Sequence, residues 1–375
     1  MNVFFAGYNT VSSLGLSVEE NVTQILQNQT GVKICQNKEW TLEPTPLSVA
    51  DRQTITDTIT GHYTIFEKFL IFSIAESLKT NPKFDIQSPD TLIIVSTTKG
   101  NIELLNPDKA KQYPNNRIQL WASAKIIQDY FQNPNTPLVI SNACISGVQA
   151  LITGMREIKA RNYKQVVVVG ADVLSHFVVS GFQSFKSLSP EACQPFDKDR
   201  VGLSLGEGAA TILLTQDESI AQPSKIIFSS GATANDANHI SGPSRTAEGQ
   251  YYAMKRARVA SEHFDFISAH GTATPYNDDM ESVAIKRHGL EQIPVNSFKG
   301  YFGHTLGAAG VIETALSIYS LQNNILFKTF GFENSGTVEK INVIDSHQEK
   351  ELKTILKLAS GFGGSNAALI IKKEE

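Results

Sequence analysis

The 375-residue sequence predicts an α/β protein, and two observations support this class. Short β-branched runs such as Thr91 to Val95 and Val166 to Val169 are typical of strands that are buried on both faces. Longer stretches, such as Ser146 to Ala160 and Gly307 to Gln322, have the pattern of helices. Strands that alternate with helices predict a mixed, mainly parallel sheet with helices on both sides.

The same order of elements is expected twice along the chain. A strand leads into a helix at Cys144, and a later strand leads to a helix that starts at Asp278. The segment from Thr215 to Pro223 between them is polar and turn-prone. We therefore predict two similar halves, residues 1–217 and residues 218–375.

The composition excludes several classes of function. The chain has 33 basic and 37 acidic residues without a long run of one sign, which argues against nucleic-acid binding. No apolar stretch approaches the ~20 residues of a membrane-spanning helix, and no basic region of an export signal is present at the start. The three cysteines lack the spacing of a zinc site or a disulfide framework. We expect a cytoplasmic protein without a bound metal.

Cys144 lies where the predicted strand Leu138 to Ser141 turns abruptly into a helix. A thiol at that junction faces unpaired backbone N–H groups and the positive end of the helix dipole, and both favour the thiolate. The same N–H groups can hold an oxyanion when the thiolate attacks a thioester carbonyl. The position therefore suits a nucleophile in acyl transfer.

Two of the eight histidines lie in segments that suit a partner for this cysteine. His270 follows an apolar strand, and His304 lies in a glycine-rich turn five residues after Lys299. Taken singly, each histidine is more typical of a structural role. Taken together with Cys144, the two predict an acyl-transfer site.

Several segments together resemble the elongating β-ketoacyl-acyl carrier protein synthases of the thiolase-like superfamily, in order and in spacing. The segments are Asn142 to Gly147, Pro195-Phe196-Asp197 with Gly206-Glu207-Gly208, His270 to Thr274 with Asp278 and Glu281, Lys299 with His304, and Gly361 to Asn366. The resemblance runs almost end to end. It implies a thiolase-like fold, in which two βαβ-type halves form a layered αβαβα arrangement.

The resemblance also implies an activity, that of an acyltransferase. Cys144 would take an acyl group from the phosphopantetheine arm of an acyl carrier protein. His270 and His304 would assist the loss of carbon dioxide from a malonyl extender and stabilise the enolate oxygen. No metal or redox cofactor is implied beyond the phosphopantetheine that carries the substrates.

Supporting roles follow from the same resemblance. Lys299 and Glu313 are expected to form a buried charge pair that keeps His304 ordered. The other residues to which the resemblance gives a role would bind pantetheine, complete the oxyanion hole or support the site: Thr272, Thr274, Phe362, Gly363, Asp278 and Glu281. Phe362 would be a gate, and its backbone N–H would share the oxyanion hole with that of Cys144.

The chain departs from the family pattern at three places. It is shorter between Gly100 and Ser141, it has Val201-Gly202-Leu203 after Asp199-Arg200, and it has Asn277 where glycine is common. These changes favour a specialised substrate, such as a chain of an aryl-polyene or flexirubin-type pathway, over ordinary fatty-acid elongation.

The partners and two other functions stay open at this point. The chain is expected to form a homodimer, or a heterodimer with a related ketosynthase-like subunit. A basic patch of Lys68, Lys125 or Arg200 at the pocket mouth would receive the carrier protein. The alternatives are a subunit that binds acyl carriers or sets chain length without condensing them, and a cysteine hydrolase, which would leave the second histidine unexplained.

Overall fold

The computed structural model describes residues 1–257 and 262–374. Its strands are β1 (Phe4–Val11), β2 (Val32–Cys35), β3 (Thr45–Ser48), β4 (Thr91–Ser96), β5 (Leu138–Ile140), β6 (Gln165–Asp172), β7 (Leu205–Gly206), β8 (Gly208–Thr215), β9 (Ile226–Asn235), β10 (Phe266–Ser268), β11 (Val295–Asn296), β12 (Ile325–Leu326), β13 (Gln348–Glu349), β14 (Thr354–Gly361) and β15 (Ser365–Lys373). Its helices are α1 (Val18–Leu26), α2 (Arg52–Thr58), α3 (Ile65–Lys79), α4 (Pro107–Ala110), α5 (Leu120–Phe131), α6 (Ser146–Lys159), α7 (His176–Ser184), α8 (Glu248–Ala257), α9 (Pro275–Arg287), α10 (Lys299–Phe302) and α11 (Ala309–Asn323).

The main sheet repeats one strand pattern on either side of its centre. Within the described residues its order is β11-β10-β14-β15-β9-β1-β8-β6-β4-β5, and β1 meets β9 at the centre. The first half of the sheet consists of β1, β4, β5, β6 and β8, and the second half consists of β9, β10, β11, β14 and β15. In each set of five the first strand pairs antiparallel with the fifth, and the fifth pairs antiparallel with the fourth. The fourth pairs parallel with the second, and the second pairs parallel with the third. The predicted boundary at residue 217 lies in the connection between β8 and β9.

The α/β class and the mixed sheet are confirmed, but the sheet is less parallel than the sequence predicts. Parallel pairs join only the second, third and fourth strands of each half. β15 follows β14 after a connection of only three residues, 362–364. A connection this short joins antiparallel strands, whereas a parallel pair needs a crossover of a dozen residues or more.

The helices form three layers around the two halves of the sheet. α3 packs on β1, β6 and β8 at the outer side of the first half, and α8 packs on β9 and β15 at the outer side of the second. α6 and α11 lie between the halves and contact strands of both. The layered αβαβα arrangement is therefore confirmed.

The two central helices approach each other closely at their amino-terminal ends. A Cβ atom on Gly147 would lie 2.8 Å from the backbone nitrogen of Val311, so glycine is needed there. Because α6 follows Cys144 and α11 follows His304, this close approach brings the two segments together. No helix in the part of the chain that the structure describes is long and apolar enough to cross a membrane.

Candidate active site

The chain turns sharply at Cys144, between β5 and α6. Ala143 has a φ of +46°, in the left-handed region, and this conformation costs a residue with a Cβ on the order of 1 kcal/mol. The turn is held by the backbone N–H of Asn142, which donates to Ser146 Oγ at 2.8 Å. Gly361 lies against it, and a Cβ there would be 3.0 Å from the Cys144 nitrogen. The surroundings therefore impose the strained turn that presents the thiol.

Cys144, His270 and His304 meet in one buried cluster. The Cys144 sulfur and one ring nitrogen of each histidine lie within 4.8 Å of one another. The imidazole centroids are 5.1 Å apart and the rings are nearly perpendicular, at 83°. The structure thus brings together three residues that are separated by up to 160 positions in the sequence, counted from 144 to 304.

The tautomer of His270 is set by a lysine. Lys299 Nζ lies 3.3 Å from His270 Nδ1, and it also donates to the backbone oxygen of His270 and to Glu313 Oε1. An ammonium group can only donate, so Nδ1 accepts this hydrogen bond. The ring proton of the neutral imidazole therefore lies on Nε2.

His304 has the same tautomer for a different reason. The backbone N–H of Leu306 donates to His304 Nδ1 at 3.3 Å, which leaves the ring proton on Nε2. His304 Nε2 is buried and has no hydrogen-bond partner among the described residues. The backbone of His304 is fixed by β7 and the residue before it, because its N–H donates to Ser204 O at 2.7 Å and its oxygen accepts from Gly206 N–H at 3.1 Å. An unsatisfied N–H donor therefore remains at the cluster.

Both imidazoles are neutral at physiological pH. Burial lowers the pKa of His270 and of His304 well below the usual value, and the positive charge of Lys299 lowers both further. Two neutral rings that carry their protons on Nε2 act as hydrogen-bond donors. They suit the stabilisation of an oxyanion or enolate oxygen.

The thiol of Cys144 behaves differently from the sequence-based expectation. Burial raises its pKa to about 11, while Lys99, Lys299 and the backbone N–H of Phe362 act in the opposite direction. The expected thiolate is therefore not the resting form, because loss of hydration outweighs these favourable interactions.

Glu313 bridges two buried lysines beneath the histidines. Its Oε1 lies 2.6 Å from Lys299 Nζ and its Oε2 lies 2.6 Å from Lys357 Nζ. The expected pair of Lys299 and Glu313 is present, but Lys299 contacts His270 rather than His304. Lys357 was missed by the sequence analysis, although a lysine inside the apolar strand Thr354–Gly361 is a signal of a buried charge.

Two acids of α9 hold the turn that carries His270. Glu281 accepts from the backbone N–H groups of His270 and Gly271, both at 2.7 Å. Asp278 accepts from those of Thr272 at 3.0 Å and Ala273 at 3.1 Å. The helix begins at Pro275 and not at Asp278, because proline suits the first helical turn. Asp278 therefore caps the preceding turn.

A cavity of about 390 Å³ opens in front of the cluster and is lined by Cys144, His270 and His304. Thr272 and Thr274 also line it, and their hydroxyl oxygens are 2.8 Å apart. The cavity has the size of a small-molecule site.

Phe362 lies at the wall of this cavity, directly beside the nucleophile turn. Its backbone N–H acts to lower the pKa of the Cys144 thiol. Its ring stacks on Phe182 at 5.8 Å and meets Phe185 edge-on at 5.4 Å. The residue expected to be a gate is thus in place beside the thiol.

Two family models match the chain, one in each half, and together they span about two thirds of its residues. The model described as beta-ketoacyl synthase, N-terminal domain, matches residues 87–219, and the C-terminal domain model matches residues 225–333. The chain belongs to the β-ketoacyl synthase family. Members of this family are acyltransferases, and this synthase is therefore an enzyme of that class.

Full-length relatives and solved structures agree with this assignment. The 3-oxoacyl-[acyl-carrier-protein] synthase 2 of Rhizobium meliloti is 27% identical over 420 residues, covering 99% of this chain and 98% of the relative. A ketosynthase in complex with its chain length factor from Xenorhabdus doucetiae is 25% identical with a TM-score of 0.84, covering 100% of this chain and 98% of that one. A β-ketoacyl synthase from Burkholderia phymatum has the same fold, with a TM-score of 0.89 at 21% identity and full coverage of both chains.

Two other positions singled out from the sequence lie on different sides of the cavity wall in this synthase. Gly363 lies outside the cavity lining, since its φ of +80° serves a turn and its N–H donates to Ile240 O at 2.8 Å. Asn277 does line the cavity, and its side chain donates to Glu281 at 3.0 Å. The replacement of glycine by Asn277 therefore adds a support to the turn of His270.

The residues expected in a basic patch lie elsewhere in the synthase. Lys68 is buried and donates to the backbone oxygen of Thr56, and Lys125 pairs with Asp129. Arg200 is buried beside the carboxylates of Asp278 and Asp279. None of the three lines the cavity, whereas Lys186 does. Sequence alone does not show which lysines share a surface with the pocket mouth.

Proposed function

We propose that this synthase forms a β-ketoacyl thioester on an acyl carrier protein by decarboxylative Claisen condensation, with Cys144 as the nucleophile. The observation that carries the proposal is the convergence of the Cys144 thiol with two neutral Nε2–H donors in one buried cluster. These donors can stabilise the negative charge that develops on the enolate oxygen in this reaction.

The first half-reaction loads the acyl chain. The thioester of an acyl-phosphopantetheine arm enters the cavity, and the arm lies along Thr272 and Thr274. The Cys144 sulfur attacks the carbonyl carbon, and the oxyanion is held by the backbone N–H groups of Cys144 and Phe362. The carbon–sulfur bond to pantetheine then breaks, and the leaving thiolate takes the proton that the Cys144 thiol gives up.

The second half-reaction extends the chain. The carbonyl oxygen of a malonyl thioester accepts hydrogen bonds from Nε2–H of His270 and His304. The bond to the malonyl carboxylate breaks, carbon dioxide leaves, and the electron pair forms an enolate that the two donors stabilise. The enolate carbon attacks the acyl carbonyl on Cys144, the carbon–sulfur bond breaks, and the released thiolate takes up a proton.

The substrates and partners follow from this chemistry. The acyl and malonyl groups arrive on the phosphopantetheine of an acyl carrier protein, and the proposed steps use no metal or redox cofactor. A second, related ketosynthase-like subunit completes the assembly, and the ketosynthase–chain length factor complex of Xenorhabdus supports this arrangement. The proposed pathway is the assembly of a polyene or polyketide chain, with fatty-acid elongation as the other use of the same reaction. A subunit that only sets chain length has no use for the clustered thiol and donors.

The test is intact-protein mass after mixing the enzyme with carrier proteins that bear short, long, saturated or polyenoic chains. We expect an acyl adduct with at least one chain in the wild type and none in Cys144→Ala. Cys193→Ala is the matched control, because Cys193 is also buried but lies outside the cavity lining. Addition of malonyl carrier should discharge the adduct as a β-ketoacyl product. Discharge by water alone would instead indicate a hydrolase.

A further inference from the structure

Lys99 lies beside the turn that presents the nucleophile. It follows β4 at the carboxyl end of that strand, and β4 runs parallel to β5, which leads to Cys144. The two strand ends are tied together, since Ser141 Oγ donates to the backbone oxygen of Thr98 at 3.3 Å. In a parallel sheet the carboxyl ends of neighbouring strands are where active-site groups collect. The family resemblance gave this lysine no role.

The charge of Lys99 has no acidic partner. Lys99 is half-buried, and its ammonium donates to Thr98 Oγ1 at 2.9 Å. Within residues 1–257 and 262–374, no carboxylate lies within 4.0 Å of that ammonium. By contrast, the buried ammonium of Lys299 is paired with Glu313. Partial burial of a cation without a counter-charge is unfavourable, so its presence beside a reactive group points to function.

The thiol needs such a charge because neither histidine offers it a base. The Nδ1 atoms of His270 and His304 accept hydrogen bonds from Lys299 and Leu306, and the Nε2 atoms hold the ring protons. No lone pair of either ring is then free to take the thiol proton. Formation of the thiolate must therefore depend on the surrounding charges and dipoles.

Charged side chains act on the thiol in both directions. Lys99 and Lys299 favour the thiolate, Lys99 more strongly, and Asp172 opposes it. Asp172 is bonded by Thr97 Oγ1, Thr98 Oγ1 and two backbone N–H groups, which moderate its charge. The positive charge of Lys99 also disfavours protonation of His304. The charge of Lys99 thus favours the thiolate of Cys144 and the neutral form of His304, which are the protonation states that the reaction uses.

We propose that Lys99 is a positioning residue whose charge sets the reactivity of the Cys144 thiol and thereby the rate of acyl loading. This inference rests on the proposed role of Cys144 as the nucleophile. Lys99 acts through the thiol and need not touch the substrate.

The test is the rate of alkylation of Cys144 by iodoacetamide, followed by peptide mass between pH 6.5 and 9.5, in the full-length enzyme. Only the thiolate reacts, and its fraction falls about tenfold for each unit by which its pKa rises. We expect Lys99→Met to slow alkylation about threefold to tenfold at a given pH, so that the rate profile moves to higher pH. Lys99→Arg keeps the charge and should retain the wild-type profile.

Matched variants separate this inference from the proposed function. Lys125→Met makes the same change at an exposed lysine outside the cavity lining and should leave the profile unchanged. An unchanged profile in Lys99→Met, with label absent from Cys144→Ala, would overturn the role of Lys99 and leave the nucleophile intact. Failure of wild-type Cys144 to alkylate or to accept acyl groups would instead count against the proposed function. An equal slowing in Lys99→Arg and Lys99→Met would show that shape rather than charge matters, and would also overturn the inference.

Discussion

His270 and His304 reach the same tautomer by different routes, and this shapes what each can do. His270 depends on the ammonium of Lys299, which Glu313 keeps in place. His304 depends on a backbone N–H, and its own backbone is fixed by β7. The buried Nε2–H of His304 has no partner in the described part of the chain, and such a donor is unfavourable unless a ligand satisfies it. The substrate oxygen would supply that partner.

Replacement of His304 should separate the two half-reactions. We expect His304→Ala to retain acylation of Cys144 but to lower the condensation rate about 10²- to 10³-fold, the usual effect of removing one oxyanion donor. The measurement combines intact-protein mass for the adduct with quantitation of the β-ketoacyl product. His263→Ala is the control, because that side chain is 82% exposed. A wild-type condensation rate in His304→Ala would exclude the proposed donor role.

At the scale of elements, α9 is the support of the catalytic turn. The carboxylates of Glu281 and Asp278 accept four successive backbone N–H groups, from His270 to Ala273. Burial raises the pKa of Glu281 to about 7, although these hydrogen bonds act against the shift. The turn is thus held by a carboxylate that loses hydration on folding.

Glu281 should make the stability of the synthase depend on pH. Its folded-state pKa of about 7 lies above the ordinary 4.5, so the folded protein binds this proton more tightly than the unfolded chain. The resulting stabilisation is present below pH 4.5 and is lost as the pH rises to about 7, by up to about 3 kcal/mol. The free energy of unfolding, measured with urea at several pH values, should show this loss in the wild type and not in Glu281→Gln. Parallel curves for the two proteins would contradict the prediction.

The elements near the nucleophile could be predicted from sequence because their signals are local. A short apolar strand before Cys144 and a helical pattern after it predict the strand-to-helix turn, and β5 and α6 are found there. The start of α11 is less clear from the pattern, since residues 306–308 form a 3₁₀ turn before the α-helix begins at Ala309. Local periodicity does not distinguish these two kinds of turn.

Contacts between distant elements could not be predicted in this way. The family resemblance implied that Lys299 orders His304, but α10 turns Lys299 towards His270. The positions of Lys357 and Lys99 near the site depend on the order of strands in the sheet, which places β14 beside β10 and β4 beside β5. The strand order depends on long-range packing, and a single sequence carries little local signal of it.

For the whole molecule, β5 is the least protected part of the main sheet. It lies at the edge, with β4 as its neighbour in the sheet order, and its three residues are all apolar. Leu138 is 38% exposed, and Trp121 on the adjacent α5 is 58% exposed. An exposed apolar edge is a template for pairing with another chain. A partner on this edge would also support the turn at Cys144, because β5 leads directly into it.

We therefore expect the synthase to pair with a second ketosynthase-like subunit along β5. Light scattering should give about 82 kDa for a homodimer, twice the 41.0 kDa of one chain, or the corresponding sum when a related subunit is co-expressed. The double variant Leu138→Glu, Trp121→Glu places charges on the edge and should return the mass to 41.0 kDa. Tyr252→Glu, on α8 at the outer side of the second half, should leave the assembly intact. An assembly that survives the double variant would place the interface elsewhere.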